Sequence, residues 1–232
     1  MSIVVHSYEA RLLGPLTYHS VPDAGAAGAT VTAPFLGDTA LTYAMHYALL
    51  GHPIPNRFGY KNNGQDYKDD YRYFKSICSV GTPRSIVEYL PTEYVASSFM
   101  SEGYEQKRIS SMDSKHRTSK VGNTAWRPWR QIQSLAPSRG DINVFTFIAV
   151  SSEHLPEHFT VRIGLGRSCL LDIKEIEKLE TFAVNRQTIE TALARTMNDV
   201  PYTSISAPIA QFQIYHGVPI TYAENLLTPV SD

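Results

Sequence analysis

The run Ile142, Asn143, Val144, Phe145, Thr146, Phe147, Ile148, Ala149, Val150 constrains the fold of this chain more than any other stretch. It is nearly unbroken in apolar character and rich in β-branched and aromatic side chains, which suit a pleated surface better than a helix. A strand without a polar side has to be covered on both faces, so residues 142–150 are predicted to form a central strand.

Other segments supply the neighbours such a strand needs. Residues 3–13 alternate, with Val5, Ser7, Glu9 and Arg11 on one side and Val4, His6, Tyr8, Ala10 and Leu12 on the other. The side holding Tyr8 and Leu12 reads as core, and His6 on it as a structural histidine. Residues 159–163 and 169–173 read as a strand pair joined by Gly164, Leu165, Gly166, Arg167 and Ser168. The glycines there permit positive φ and close approach of a partner's backbone. Flanked by Arg162 and Arg167, this turn suits a phosphate, although two glycines in a hairpin need no ligand. Residues 34–50 have helical spacing, with Pro34 at the start and Gly51 and Pro53 at the stop. Tyr43, His46 and Tyr47 then belong to a packed helix face. Residues 71–80 are predicted as a strand closed by a turn at residues 81–84, followed by short strands at 86–89 and 95–100. Residues 186–198 predict a second helix with Ile189, Leu193 and Met197 in one stripe, and residues 205–219 a last strand.

A chain of 232 residues that is 43% hydrophobic can bury an ordinary core, as one elaborated domain or two small ones. Its net charge of −1 conceals an internal asymmetry. Residues 103–139 carry Lys107, Arg108, Lys115, Arg117, Lys120, Arg127, Arg130 and Arg139 against Glu105 and Asp113, together with Trp126 and Trp129, the only tryptophans. Acids outnumber bases from Asp172 onward. Cations interleaved with flat aromatics suit RNA or single-stranded DNA, because phosphate contacts release counterions and any base stacks on a ring. The plainer alternative is a solvated basic loop anchored to the core by Trp126 and Trp129. Residues 110–123 read as a projecting element that orders on a partner, and residues 53–71 add Arg57, Tyr60, Lys61 and Lys68.

Cys78 and Cys169 stand far apart and no Cys or His pair has zinc spacing, so free thiols in a reducing cytoplasm, no metal and no cofactor are expected. No export signal or membrane-length apolar run is read. Phosphate-loop, zinc-protease and nucleophile-elbow motifs are also missing. Metal-free RNA cleavage needs only a base or acid and a cation, and His116, Tyr60 and Lys61 offer those groups without a spacing that selects them.

In order along the chain stand the helix beginning Phe35, Leu36, Gly37, Asp38, Thr39, Ala40, Leu41; the strand end Val80, Gly81, Thr82, Pro83; Gly122 and Asn123 through Leu135, Ala136, Pro137; and Val161, Arg162, Ile163, Gly164, Leu165, Gly166. In these motifs the sequence resembles, over nearly its whole length, the small subunit of type I-D CRISPR effector complexes, the cyanobacterial-subtype member of the fifth Cas family. Where the pattern has a glycine followed by a basic residue after the Arg-Ile strand, this chain has Leu165, which shifts the charge to Arg167. The resemblance implies an α+β fold: a ferredoxin-like, RNA-recognition-type antiparallel sheet with helices on one face and a protruding thumb hairpin. On that reading residues 1–232 are one elaborated domain with a projecting basic insertion at about 103–139. It implies a non-catalytic, cytoplasmic subunit that caps the 5′ handle of CRISPR RNA. Its implied neighbours are a backbone subunit of the seventh Cas family and the large subunit of the tenth, with target DNA near the protospacer-adjacent motif as a further contact. The expected RNA contacts are Arg57, Tyr60, Lys61, Arg84, Lys115, Arg117, Lys120, Trp126, Arg127, Trp129, Arg130, Arg162, Gly164, Gly166 and Arg167. A repeat endoribonuclease and a protein scaffold without RNA contact are the alternatives.

Overall fold

The computed structural model describes residues 3–17, 21–22, 30–50, 70–96, 129–164, 169–209 and 212–229. In chain order its strands are β1 (Val4–Leu12), β2 (Val21–Pro22), β3 (Thr30–Val31), β4 (Ser76–Cys78), β5 (Thr82–Pro83), β6 (Glu93–Ala96), β7 (Trp129–Gln133), β8 (Val144–Ser151), β9 (His158–Ile163), β10 (Cys169–Glu175), β11 (Thr181–Asn185), β12 (Ser204–Ile209) and β13 (Phe212–Pro219). Helix α1 (Asp38–Met45) continues as a π-helical segment to Leu50, and α2 (Ala223–Leu227) closes the described chain.

Strand β8, the apolar run, is interior as its sequence requires. The main sheet has the order β4, β8, β1, β10, β9, with β5 beside β4 on the same flank of β8, and every pairing in it is antiparallel. Tyr8 stands opposite Phe147 and Glu175, Ala10 opposite Phe145 and Ile173, and Leu12 opposite Leu171. The period of two therefore gathers Tyr8, Ala10, Leu12, Phe145, Phe147, Leu171 and Ile173 on one face, where all are buried. Leu41 and Met45 of α1 enter the same core. Helix α1 touches both β4 and β9, the two ends of the strand order, so the sheet curls around it.

Among the described residues the opposite face is covered over only half its length. Ile77, Ile148 and Val150 pack there against Phe182, Val184, Tyr215 and Val218 of a second antiparallel sheet, β11, β13, β12, and against Leu226 and Leu227 of α2. Beyond that cover the face turns polar. A third sheet, β2, β3, β7, β6, pairs β6 with β7 antiparallel and β3 with β7 parallel.

The α+β class and the predominance of antiparallel pairing follow the expectation. The parallel pair that a split β-α-β unit contains is not among the described pairings of the main sheet, and helices stand on both sides of it rather than one. Within the predicted strand 71–80 only Ser76–Cys78 is strand. Tyr71 and Phe74 are both fully buried and pack edge to face at 5.2 Å, a three-residue spacing that belongs to the helical turn formed there. The segment 81–84 does not turn back: Thr82–Pro83 pairs with β8, and Gly81 exchanges two 2.8 Å backbone hydrogen bonds with Leu36. That bridge also delays the helix start from residue 34 to Asp38. The predicted strand 86–89 reduces to a bridge at Tyr89; of the predicted strand 95–100, residues 95–96 belong to β6 and the rest lie outside the described residues. Residues 186–198 hold only a short helical segment that ends before Ala194, whose φ is 52°, although Ile189, Leu193 and Met197 are all buried. The predicted last strand is two, β12 and β13, a hairpin whose partner β11 was not anticipated.

Asp38 is buried at the start of α1, where its carboxylate bonds Thr188, Asn185 and the Thr39 N–H and so ties the helix to the second sheet. Burial raises its pKa above the ordinary Asp value, with those bonds partly offsetting the rise. The folded state therefore holds this proton more tightly than the unfolded chain, and the contribution of Asp38 to stability declines as pH rises from the ordinary Asp value through the raised one. Denaturant unfolding of wild type and Asp38→Asn across that range should shift the balance progressively toward the variant, and a pH-independent difference would contradict the assignment. A Cβ on Gly81 would lie 2.8 Å from the Leu36 Cβ. Gly81→Ala is therefore expected to lower unfolding free energy by about 1–3 kcal/mol, read from the urea midpoint.

Candidate nucleic-acid interface

Where β1 runs out, three stretches of chain distant in sequence meet. The Leu12 N–H donates to Ser138 Oγ at 2.7 Å, and Ser138 N–H returns a bond to the Leu12 carbonyl at 2.9 Å. Leu16 and Leu135 exchange backbone bonds of 3.1 and 2.9 Å, Leu135 also bridges Tyr89, and Leu90 N–H donates to the Ser134 carbonyl. The return from β7 is thereby laced to the end of β1 and to the 84–90 segment.

Asn143 fixes that crossing. It is fully buried with φ 52°, a left-handed conformation that Asn tolerates better than most residues. Its Nδ2 donates to the carbonyls of Glu88 (2.8 Å) and Ala136 (2.7 Å), its Oδ1 accepts from Glu88 N–H (2.9 Å), and its own carbonyl accepts from Ser138 Oγ (2.6 Å). The side chain thus has every strong donor and its oxygen engaged. At the same end, Leu13 N–H bonds the Leu170 carbonyl, the Cys169 thiol reaches the Gly14 carbonyl at 3.2 Å, and β9 ends at Gly164 with φ 86°. The β6–β7 pair, the Ile163 and Cys169 ends of β9 and β10 and the 84–90 segment therefore sit at one end of the main sheet.

The adjoining uncovered face carries a charged band. Thr82, Thr146, Glu9, Lys174 and His158 lie in register across five strands, and Arg11, Asp172 and Thr160 form the next row. Glu9 holds two guanidinium groups, Oε1 at 3.0 Å from Arg11 Nε and Oε2 at 3.0 Å from Arg84 Nη1. Arg11 Nη1 also donates to the Gly140 carbonyl at 2.9 Å. His158 Nε2 lies 2.6 Å from Asp172 Oδ1. Lys174 and Arg162 are exposed and make no ion pair among the described residues.

Of the residues expected at the site, Arg84 is exposed and paired with Glu9, Arg162 is exposed on β9, and Gly164 ends that strand. Trp129 and Arg130 lie in β7, opposite Ala96 and Val95. Arg57, Tyr60, Lys61, Lys115, Arg117, Lys120, Trp126, Arg127, Gly166 and Arg167 lie outside the described residues, as does His116. Reading the sequence missed Arg11 and Lys174. The signal was present in the alternation of residues 3–13, which put Arg11 on the side opposite Tyr8, but nothing local joins Glu9 to Arg84, 75 residues away.

His6 proves structural, stacked 5.9 Å from Tyr8 with Nδ1 2.8 Å from Glu175 Oε1. Burial raises both thiols, Cys169 to about 11 and Cys78 further, which leaves neither as a ready thiolate at neutral pH. Among the described residues no cluster of His, Cys, Asp or Glu is arranged to hold a metal ion, and no helix is long and apolar enough to cross a membrane.

An α+β protein built on a curled antiparallel sheet, with cations collected at one end, is the class that this geometry defines. A family model described as type I-D CRISPR-associated protein Cas5/Csc1 matches residues 3–225, and the chain belongs to that family. It is accordingly a component of a CRISPR effector complex. No curated protein matches the chain. Among solved structures it is similar to a chain of the type III-B Cmr-beta complex, imaged by cryo-electron microscopy with cognate target RNA and AMPPnP. The identity is 8%, the match covers 92% of this chain and 84% of the other, and the TM-score is 0.37.

Asn143→Ala removes the partner of the Glu88 N–H and of the Ala136 carbonyl and leaves the Glu88 carbonyl with only the Ala136 N–H, so it is expected to cost about 1–3 kcal/mol of stability. Hydrogen exchange should show the loss concentrated in residues 84–90 and 134–139, and a uniform change across the protein would speak against a local clamp.

Proposed function

We propose that this chain is a non-catalytic, cytoplasmic subunit of a type I-D effector complex that binds and caps the 5′ handle of CRISPR RNA. It lies beside a backbone subunit of the seventh Cas family and docks the large subunit of the tenth, with target DNA near the protospacer-adjacent motif as a further contact. The sheet is then an elaborated derivative of the ferredoxin-like, RNA-recognition type. Family membership supports the setting. The observation that carries the RNA contact is the antiparallel β6–β7 pair, which brackets the cation-rich residues 97–128 and stands at the same end of the sheet as Arg84 and Gly164. A bracketed segment of this kind is the thumb hairpin of this reading. Lys115, Arg117, Lys120 and Arg127 would meet phosphates, and Trp126 and Trp129 would stack on bases or wall off the groove.

Filter binding with handle RNA is the test. Trp126→Ala combined with Arg127→Ala should weaken binding on the order of tenfold or more at low salt, with the loss shrinking as salt rises, since part of the affinity is ionic. Unchanged low-salt affinity would sink the assignment. The same labelled repeat RNA, incubated with the protein in EDTA, should remain intact; a discrete product that Tyr60, Lys61 or His116 variants abolish would make the chain an endoribonuclease. Purification from the host without a short RNA of defined 5′ end would favour a protein scaffold.

A further inference from the structure

The charged band lies on the half of the main sheet that no described element covers and adds no side chain to the buried hydrophobic clusters. Thr82, Thr146 and Glu9 stand in line across β5, β8 and β1, which brings Arg84, just beyond β5, over the same face as Arg11. Two guanidinium groups this close repel unless an anion lies between them. Glu9, whose side chain is only 15% exposed, is that anion, with one oxygen on each arginine. The Gly140 carbonyl takes a further donor of Arg11. The forks are thereby oriented without being used up. A guanidinium has five N–H donors, of which the described contacts engage two on Arg11 and one on Arg84. The Arg84 side chain is 57% exposed.

Such an arrangement is stronger than a surface ion pair needs to be and leaves an excess of positive charge. Lys174, directly opposite Glu9 on β10, and Arg162 on β9 add two cations without an ion-pair partner among the described residues to the same face, whereas Asp172 is occupied by His158. Planar forks match a phosphate's oxygens in pairs, and a cationic sheet face, on which Leu170 is half-buried beside Arg162, suits a nucleic-acid strand better than a packed protein interface.

We infer that Arg11 and Arg84, positioned by Glu9, form a phosphate-gripping pair on the uncovered face of the main sheet for a single strand of RNA. The inference rests on the RNA-binding reading above and adds a contact surface to it, apart from the residues bracketed by β6 and β7. The pair meets phosphates and not base edges, so its contribution is independent of sequence.

The test is fluorescence anisotropy of the full chain with a 5′-handle RNA and with a scrambled RNA of equal length, over a range of salt. Arg11→Gln and Arg84→Gln should each weaken both RNAs by roughly tenfold and reduce the slope of log affinity against log salt by about 0.7. Glu9→Gln should also weaken binding although it raises net positive charge, because the forks lose the group that orients them; Arg11→Lys should restore the salt slope but not the full affinity. Arg84 is exposed, so its variant reports on binding even if one at Arg11 disturbs the strand. Unchanged affinity and slope in both arginine variants, with wild-type binding intact, would overturn this inference and leave the RNA-binding reading standing. Tighter binding by Glu9→Gln would overturn the positioning role by showing that the carboxylate merely masks charge. Wild-type protein that binds neither RNA would remove the reading and the inference together.

Discussion

Covering both faces of β8 is the constraint on which the rest of the structure depends. Phe145 and Phe147 point into the curl of the sheet, and Ile148 and Val150 point the other way. Each such side chain gains roughly 1.5–3 kcal/mol by leaving water, so neither face can be left open without forfeiting a large part of a domain's net stability. The two solutions differ. On one side the sheet curls until its outer strands meet α1; on the other a second small sheet and α2 are laid over one half.

That unequal cover creates the functional geography. Where the second sheet ends, the outward residues change from Val5, Ile148 and Val150 to Glu9, Arg11, Asp172 and Lys174, without any change in strand alternation. The same end of the sheet receives the β6–β7 pair, because Asn143, Ser138 and Leu135 lace the returning chain onto β1. Rigid backbone geometry thus surrounds the exposed cations, which lowers the ordering cost that flexible side chains would otherwise add to binding.

Much of the main sheet was legible because its strands repeat with a period of two against a buried face. Residues 3–13, 142–150 and the 159–173 pair were read with boundaries within a few residues. Local reading failed where packing overrode the pattern. Tyr71 and Phe74 look like strand aromatics but are buried by a helical turn, and residues 186–198 carry a helical stripe that Ala194 breaks with a left-handed residue. The segment 81–84 has turn composition, yet its glycine serves a close approach to Leu36.

Alone, the sequence determined the interior position of β8, the core side of β1 and the concentration of cations in residues 103–139, because side-chain period, burial preference and charge are properties of neighbouring residues, while its family resemblance implied the α+β class. The order of the strands, the half-cover of the second sheet, the Asn143 clamp and the Glu9 carboxylate shared by Arg11 and Arg84 were decided only by tertiary structure. Each joins groups from dozens to more than a hundred residues apart, and such pairings are selected by the packing of the whole chain rather than by any local preference.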